Sequence, residues 1–162
     1  MANADTLRLQ RRLFFVAALL FSVGLLTGIY SAAVLTGKIP STLPRMALAA
    51  HLNALLGGLW IAAVAVSLPH VSLAANRLRQ LCWLIVGANW ANWFLTIVGS
   101  LLGVNGLEYT GQRANDGLAL ALQVAVVLPA LAGALGWTYG LWRPTPFQAA
   151  AVRPESVSRR SA

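Results

Sequence analysis

Four uncharged stretches dominate the sequence: Leu13 to Thr36, Met46 to Leu68, Leu81 to Val104 and Leu118 to Trp142. Each runs about 23 to 25 residues, or roughly 35 Å as helix, enough to cross a hydrocarbon core of about 30 Å. Lipid offers no water to a backbone N–H or C=O, so continuous runs of this kind must be helical. The chain of 162 residues is 58% hydrophobic and only 10% charged, whereas a soluble domain carries about a quarter charged residues. The predicted fold class is all-α, an integral membrane protein. Its one domain, residues 1–142, is a four-transmembrane-helix up-down bundle with short loops. The basic tail, 143–162, is rich in Pro, Arg, Ser and Ala and is expected to be disordered.

The net charge of +8 is not spread as nucleic-acid binding would require. Nine of the twelve basic residues flank the ends that share one side of the membrane: Arg8, Arg11, Arg12, Arg77, Arg79, Arg143, Arg153, Arg159 and Arg160. Lys38, Arg45 and Arg113 lie on the other side. This is the positive-inside pattern for two cytoplasmic termini, and it suits contact with anionic lipid rather than nucleic acid. The first apolar stretch is too long for a signal peptide, whose apolar region is about 7 to 15 residues, so it is expected as a retained span.

Asp5 or Thr6 is expected to cap a helix that carries the first arginines to the membrane surface. Pro40 and Pro44 stiffen the first outer loop. The second outer loop, Asn105 to Gly117, is the longest between spans and holds Glu108 and Asp116. Pro129 should kink span 4 or sit where neighbours satisfy the freed carbonyl. Small residues on spans 2 to 4, among them Gly57, Gly58, Gly87, Gly133 and Gly136, favour close helix packing. Cys82 stands alone, excludes an intrachain disulfide, and reads as a small packed hydrophobe.

His51 is the only histidine inside an apolar run. An imidazole in a membrane helix needs a partner: a metal, a cofactor iron, a proton path or a polar neighbour. On span 3, Asn89, Asn92 and Thr96 follow spacings of three and four and share one face, which Ser100 continues. Trp90 and Trp93 flank that face. Thr96 and Ser100 should lie near the depth of His51, and Asn92 about 10 Å deeper. Gln123 of span 4 also falls near the outer side. Asn53, two residues from His51, points to another face; for it and for Asn89, ordinary interhelical hydrogen bonding is expected. Trp83, Trp137 and Trp142 read as packing or interfacial anchors. Were the partner a haem iron, His70 would lie about 28 Å along from His51, and Met46 shares its helix. One axial histidine would then leave an open coordination position, which favours ligand activation over electron relay.

The run PRMALAAHLNALLGG after LFSVGLLTG, and GANWANWFLTIVGSLLG in span 3, resemble bacterial hydroxylaminobenzene mutases and, more distantly, styrene oxide isomerases. The shared parts are His51 and the triplet Trp90, Ala91, Asn92; the short first outer loop and the pattern Ala91, Asn92, Trp93, Thr96 point to the mutase side. The resemblance covers about Leu13 to Trp142. It implies a trimer with ferric haem b between subunits, with His51 as the metal's axial ligand and Asn92 in the pocket. Gly57 stands where those families tend to have Asn, and Thr96 where the epoxide isomerases have Tyr; both departures weigh against an epoxide substrate.

The reading is a membrane isomerase of the bacterial inner membrane acting on a small lipophilic aromatic substrate. An aryl hydroxylamine going to an aminophenol is the first expectation, and an epoxide going to an aldehyde the second. Haem b serves as Lewis acid. His51, Trp60, Trp90 and Trp93 bind the cofactor, and Asn92 and Thr96 act on the substrate. A non-catalytic haem-binding redox or structural subunit is the rival from another class. The absence of any nucleotide-binding motif and of carboxylates in the spans fits an intramolecular rearrangement.

Overall fold

The computed structural model describes residues 2–144, so the tail from 145 to 162 lies outside the described residues. The helices are α1 (Ala2–Leu35), α2 (Pro44–Ser67), α3 (Ala75–Leu102), α4 (Arg113–Leu122) and α5 (Leu128–Trp142). A short 3-10 turn, Leu68–His70, ends α2, and a π-helical turn, Gln123–Val127, joins α4 to α5. Four segments are long and apolar enough to cross a membrane: Ala4–Leu35, Pro44–His70, Ala75–Leu102 and Arg113–Trp142. No strand occurs among the described residues. The chain is a multi-pass helical membrane protein.

The helices outlast the apolar runs that announce them. α1 begins at Ala2, so Asp5 and Thr6 lie inside the helix rather than capping it. Asp5 still falls in the first turn, where a negative charge meets the positive end of the helix dipole. The stretch Arg113 to Gly117, expected as loop, is the start of α4. Its side chains fold back on the loop before it. The Asp116 carboxylate accepts from the backbone N–H groups of Thr110 and Gly111 at 2.8 and 3.1 Å. Asn115, itself buried, accepts from the Gly106 N–H at 2.9 Å and donates to the Glu108 carbonyl at 2.6 Å. Gly106 has φ +63°, a left-handed conformation that suits glycine.

Pro129 does not break the fourth span. It has no N–H for the carbonyl four residues back, and its ring crowds that carbonyl. The π turn just before it takes up the misfit, with the Leu128 N–H bonding Gln123 O, five residues back.

Close helix approach is set by glycine. A Cβ at Gly24 would stand 2.9 Å from Leu55 Cδ2, and one at Gly58 would stand 3.0 Å from the Ala17 carbonyl oxygen, so α1 and α2 pack backbone to backbone. Gly57 faces Asn89 of α3, while Gly133 and Gly136 receive Ile85 and Leu81 against the fourth span. The apolar core lies toward the end that carries Arg8, Arg11 and Arg12; Leu13, Leu20, Ile61, Val64, Leu68 and Ile85 are fully buried there. Cys82 is buried in the same cluster, as a small hydrophobe would be. Trp137 packs against it and donates to Ser67 Oγ at 2.9 Å. The fourth span rests chiefly on α3, and only 17% of its most apolar window is buried.

Gly58→Ala is therefore expected to lower stability by about 1 to 3 kcal/mol, because the new methyl meets backbone that cannot turn aside. Gly87→Ala, with open space around it, should leave stability unchanged or raise it by a few tenths of a kcal/mol. Thermal unfolding in detergent compares the two.

Candidate functional site: a polar layer across three helices

α2 starts with Pro44 in its first turn, a position where the missing N–H is not needed. His51 stands about 10 Å along the helix from there. Its half-buried imidazole lies on α1. A Cβ at Gly28 would come within 2.8 Å of Cε1 and 2.9 Å of Nδ1, so the ring fills the space that a side chain at Gly28 would take. Nδ1 is 2.8 Å from the Gly24 carbonyl oxygen. A carbonyl only accepts, so Nδ1 carries a proton, and in the neutral ring Nε2 keeps the lone pair. Nε2 makes no hydrogen bond among the described residues. A backbone carbonyl that fixes tautomer and ring orientation while leaving the other nitrogen free is the support a metal-ligating histidine needs.

Asn53, about 3 Å further along α2, turns to the opposite seam. Its Nδ2 donates to Asn92 Oδ1 at 3.2 Å and to Thr96 Oγ1 at 3.0 Å, both on α3. Thr96, buried, donates its hydroxyl proton to the Asn92 backbone carbonyl at 2.6 Å. The third seam is closed by Trp93, whose Nε1 donates to Thr27 Oγ1 of α1 at 3.0 Å. Thr27 in turn donates to the Val23 carbonyl at 2.8 Å. Each seam among α1, α2 and α3 is thus bridged by polar groups in this layer. Nearer the helix ends, Tyr30 of α1 and Ser100 of α3 share a hydrogen bond of 3.1 Å.

The structure brings Asn92, Thr96, Trp90 and Trp93 to this layer, with the two indoles edge to face at 5.8 Å and 88°. It does not bring His51 onto the Asn92 side. The imidazole faces α1 while Asn92 and Thr96 face Asn53, and α1 joins the two through Thr27 and Trp93. Trp60 falls on the Asn53 side of α2, two turns further along, where it packs against the apolar core. Asn89 bonds the Ile85 carbonyl of its own helix at 2.8 Å, not a neighbouring helix. Gln123 is exposed and accepts from the Tyr109 hydroxyl at 3.1 Å. His70 is exposed at the other end of the molecule, and Trp83 and Trp142 are exposed as interfacial anchors would be.

The sequence points to His51, Asn92, Thr96 and Trp93 and to interhelical hydrogen bonding by Asn53, which the structure shows, but not to Thr27, Gly24 or Gly28. Gly24 and Gly28 lie four apart with Thr27 between them, which puts all three on one face of α1. That spacing was the available signal, and it is indistinguishable from ordinary small-residue packing until the imidazole is seen against it.

Residues 9–142 match the model of the family described as styrene oxide isomerase. The chain belongs to that family. It is accordingly a membrane isomerase. It is similar to hydroxylaminobenzene mutase HabB of Ectopseudomonas oleovorans, at 28% identity over 130 residues, which covers 76% of this chain and 75% of the relative. No solved structure matches it.

The Trp93–Thr27 bridge is testable as a pair. Trp93→Phe and Thr27→Val should each cost about 1 kcal/mol of stability, and the double variant little more than either alone. Thermal unfolding of the four proteins in one detergent reads the coupling.

Proposed function

We propose that this isomerase rearranges an aryl hydroxylamine to an aminophenol, using ferric haem b held by His51. The observation that carries the cofactor reading is the imidazole itself, with Nδ1 bound to the Gly24 carbonyl and Nε2 free. Among the described residues no three His, Cys, Asp or Glu side chains gather to hold a metal ion. A metal at His51 needs its remaining donors from elsewhere, and a porphyrin supplies four nitrogens. When bound, the iron would supply a Lewis acid. The substrate reading rests on similarity to a hydroxylaminobenzene mutase. Epoxide-to-aldehyde isomerisation is the second reading, favoured by the family's name.

The chain's own residues then have distinct work. Gly24 and Gly28 hold the imidazole in one orientation and tautomer. Trp90 and Trp93 offer aromatic faces to an electron-poor ring as the N–O bond breaks. Asn92 lies on the Asn53 seam rather than the His51 seam, so its amide would meet the departing oxygen of a substrate that reaches across the layer, and its truncation should then cost about 1 to 3 kcal/mol of transition-state stabilisation. Thr96 spends its hydroxyl proton on the Asn92 carbonyl, so its part in this reading is to hold the Asn53–Asn92 network rather than to donate a proton to the substrate. The layer contains no carboxylate, and the rearrangement returns the oxygen to the ring of the same molecule without a second substrate. A half-buried imidazole leaves part of any planar ligand outside one copy of the chain; neighbouring copies, as a trimer, cover it. The sidedness of the arginines supports a reading in which the protein sits in a bacterial inner membrane with both termini on the cytoplasmic side.

His51→Ala should abolish the haem absorption band of the purified protein while leaving it in the membrane, and His70→Ala should preserve the band. Full haem occupancy in the His51 variant would remove this cofactor site. Membranes holding the haem-loaded protein should convert phenylhydroxylamine anaerobically without NAD(P)H; conversion of styrene oxide alone would establish the second reading, and conversion of neither would sink both. Reporter fusions after Trp142 and within residues 105–112 should report opposite sides of the membrane, and the same side for both would remove a span.

A further inference from the structure

Two hydrogen bonds from Asn53 and one from Thr96 form a chain whose direction is fixed at one end. The contact between Thr96 Oγ1 and the Asn92 backbone oxygen is 2.6 Å. Two oxygens that close attract only with a proton between them, and a carbonyl has none to give. The hydroxyl proton is therefore spent there, and Thr96 Oγ1 can only accept from Asn53 at 3.0 Å. The Asn53 atom on that side must be the amide nitrogen. Its second N–H points to Asn92 at 3.2 Å and needs an acceptor, so Asn92 turns Oδ1 to the seam. The Asn92 NH2 group is left facing away, with no hydrogen-bond partner among the described residues. The reverse arrangement, with Asn53 accepting from both neighbours, would strip the proton from the 2.6 Å contact.

We propose that Asn53 is a positioning residue that locks Asn92 as a hydrogen-bond donor toward an oxygen of the substrate. The ring closes on one residue: the Asn92 carbonyl sets Thr96, Thr96 sets Asn53, and Asn53 sets the Asn92 side chain. An unlocked asparagine flips between donor and acceptor faces, and half of those states present an oxygen to an oxygen. The two half-buried amides and the buried hydroxyl lie where lipid and protein exclude water, so no solvent competes for the same bonds. The role in turnover rests on the proposed rearrangement, whereas the orientation of the amide does not.

Two measurements separate these. The first needs no activity. In protein labelled with 15N-asparagine, the Asn92 side-chain signals, assigned by their loss in Asn92→Ala, should shift in both Asn53→Leu and Thr96→Val. Thr96→Ser, which keeps the hydroxyl, should bring them back. Unmoved Asn92 signals in Asn53→Leu overturn the proposal whatever the substrate proves to be. The second is kinetic, with phenylhydroxylamine on the haem-loaded protein. Asn53→Leu, close in volume to Asn, should lower kcat about tenfold with KM within about twofold. Thr96→Val should do the same, and Thr96→Ser should recover most of that loss. In an Asn92→Ala background, Asn53→Leu should cost nothing further. A full additional loss in that background would mean that Asn53 acts by some other route and would overturn the proposal. Should the wild type leave both phenylhydroxylamine and styrene oxide unchanged, the proposed reaction fails, and the amide signals alone decide the orientation.

Discussion

A polar group inside a lipid-spanning helix has no water to fall back on, and that constraint organises the middle of this molecule. Three seams separate α1, α2 and α3, and each is bridged by polar groups: His51 to Gly24, Asn53 to Asn92 and Thr96, Trp93 to Thr27. The apolar core toward the arginine-rich end gives the helices a common packed base but no directional preference. Hydrogen bonds are directional, so the layer fixes the rotation of each helix about its axis. A helix turned by one residue would swing a partner out of reach and leave a buried donor or acceptor unpaired, at a cost of about 1 to 3 kcal/mol for each group.

The glycines and the layer depend on one another. Gly24 and Gly58 let α1 and α2 approach until backbone meets side-chain methyls and carbonyls. Only at that separation does an imidazole on α2 reach a carbonyl of α1 while lying flat over Gly28. A methyl at Gly28 would occupy the space of the ring itself, so this glycine belongs to the site and not to packing alone. Gly57 plays a quieter part: its open side holds Asn89, whose amide turns back to its own helix and leaves the Asn92 network unshared.

How far the sequence led is clearest from these residues. Four spans and their antiparallel order were legible, because length and charge sidedness are the two quantities a bilayer reads. That His51 needs a polar partner was legible too, since an imidazole in an apolar run demands one, and the Gly24 carbonyl supplies it. The rotation of α2 was not. Asn53 and His51 sit two apart in the sequence and differ by about 200° around the helix, and nothing in the string says which faces α1. The helix ends were also hidden, since Arg113 to Gly117 read as polar loop, yet Asp116 and Asn115 use their polarity to close that loop onto the helix. Pro129 promised a kink or a carbonyl satisfied by neighbours, and the chain shows a change of hydrogen-bond register just before it.

The same arrangement bears on why an intramolecular reaction suits this site. Water shuttles, carboxylate pairs and nucleotide-binding loops all need polar surface that a membrane layer of this kind cannot supply cheaply. What it supplies well is a small set of fixed dipoles in a dry, aromatic surrounding, oriented before any ligand arrives. Such dipoles favour a reaction in which charge separates and recombines within one molecule, because nothing has to enter or leave while it proceeds. In the proposed reaction, the lone pair of His51 and the free amide of Asn92 are the two ends of that field. Both are set by backbone carbonyls of the helices themselves, Gly24 for one and Asn92 for the other. A carbonyl held in a helix ladder cannot rotate, so the orientation of both side chains is inherited from the fold.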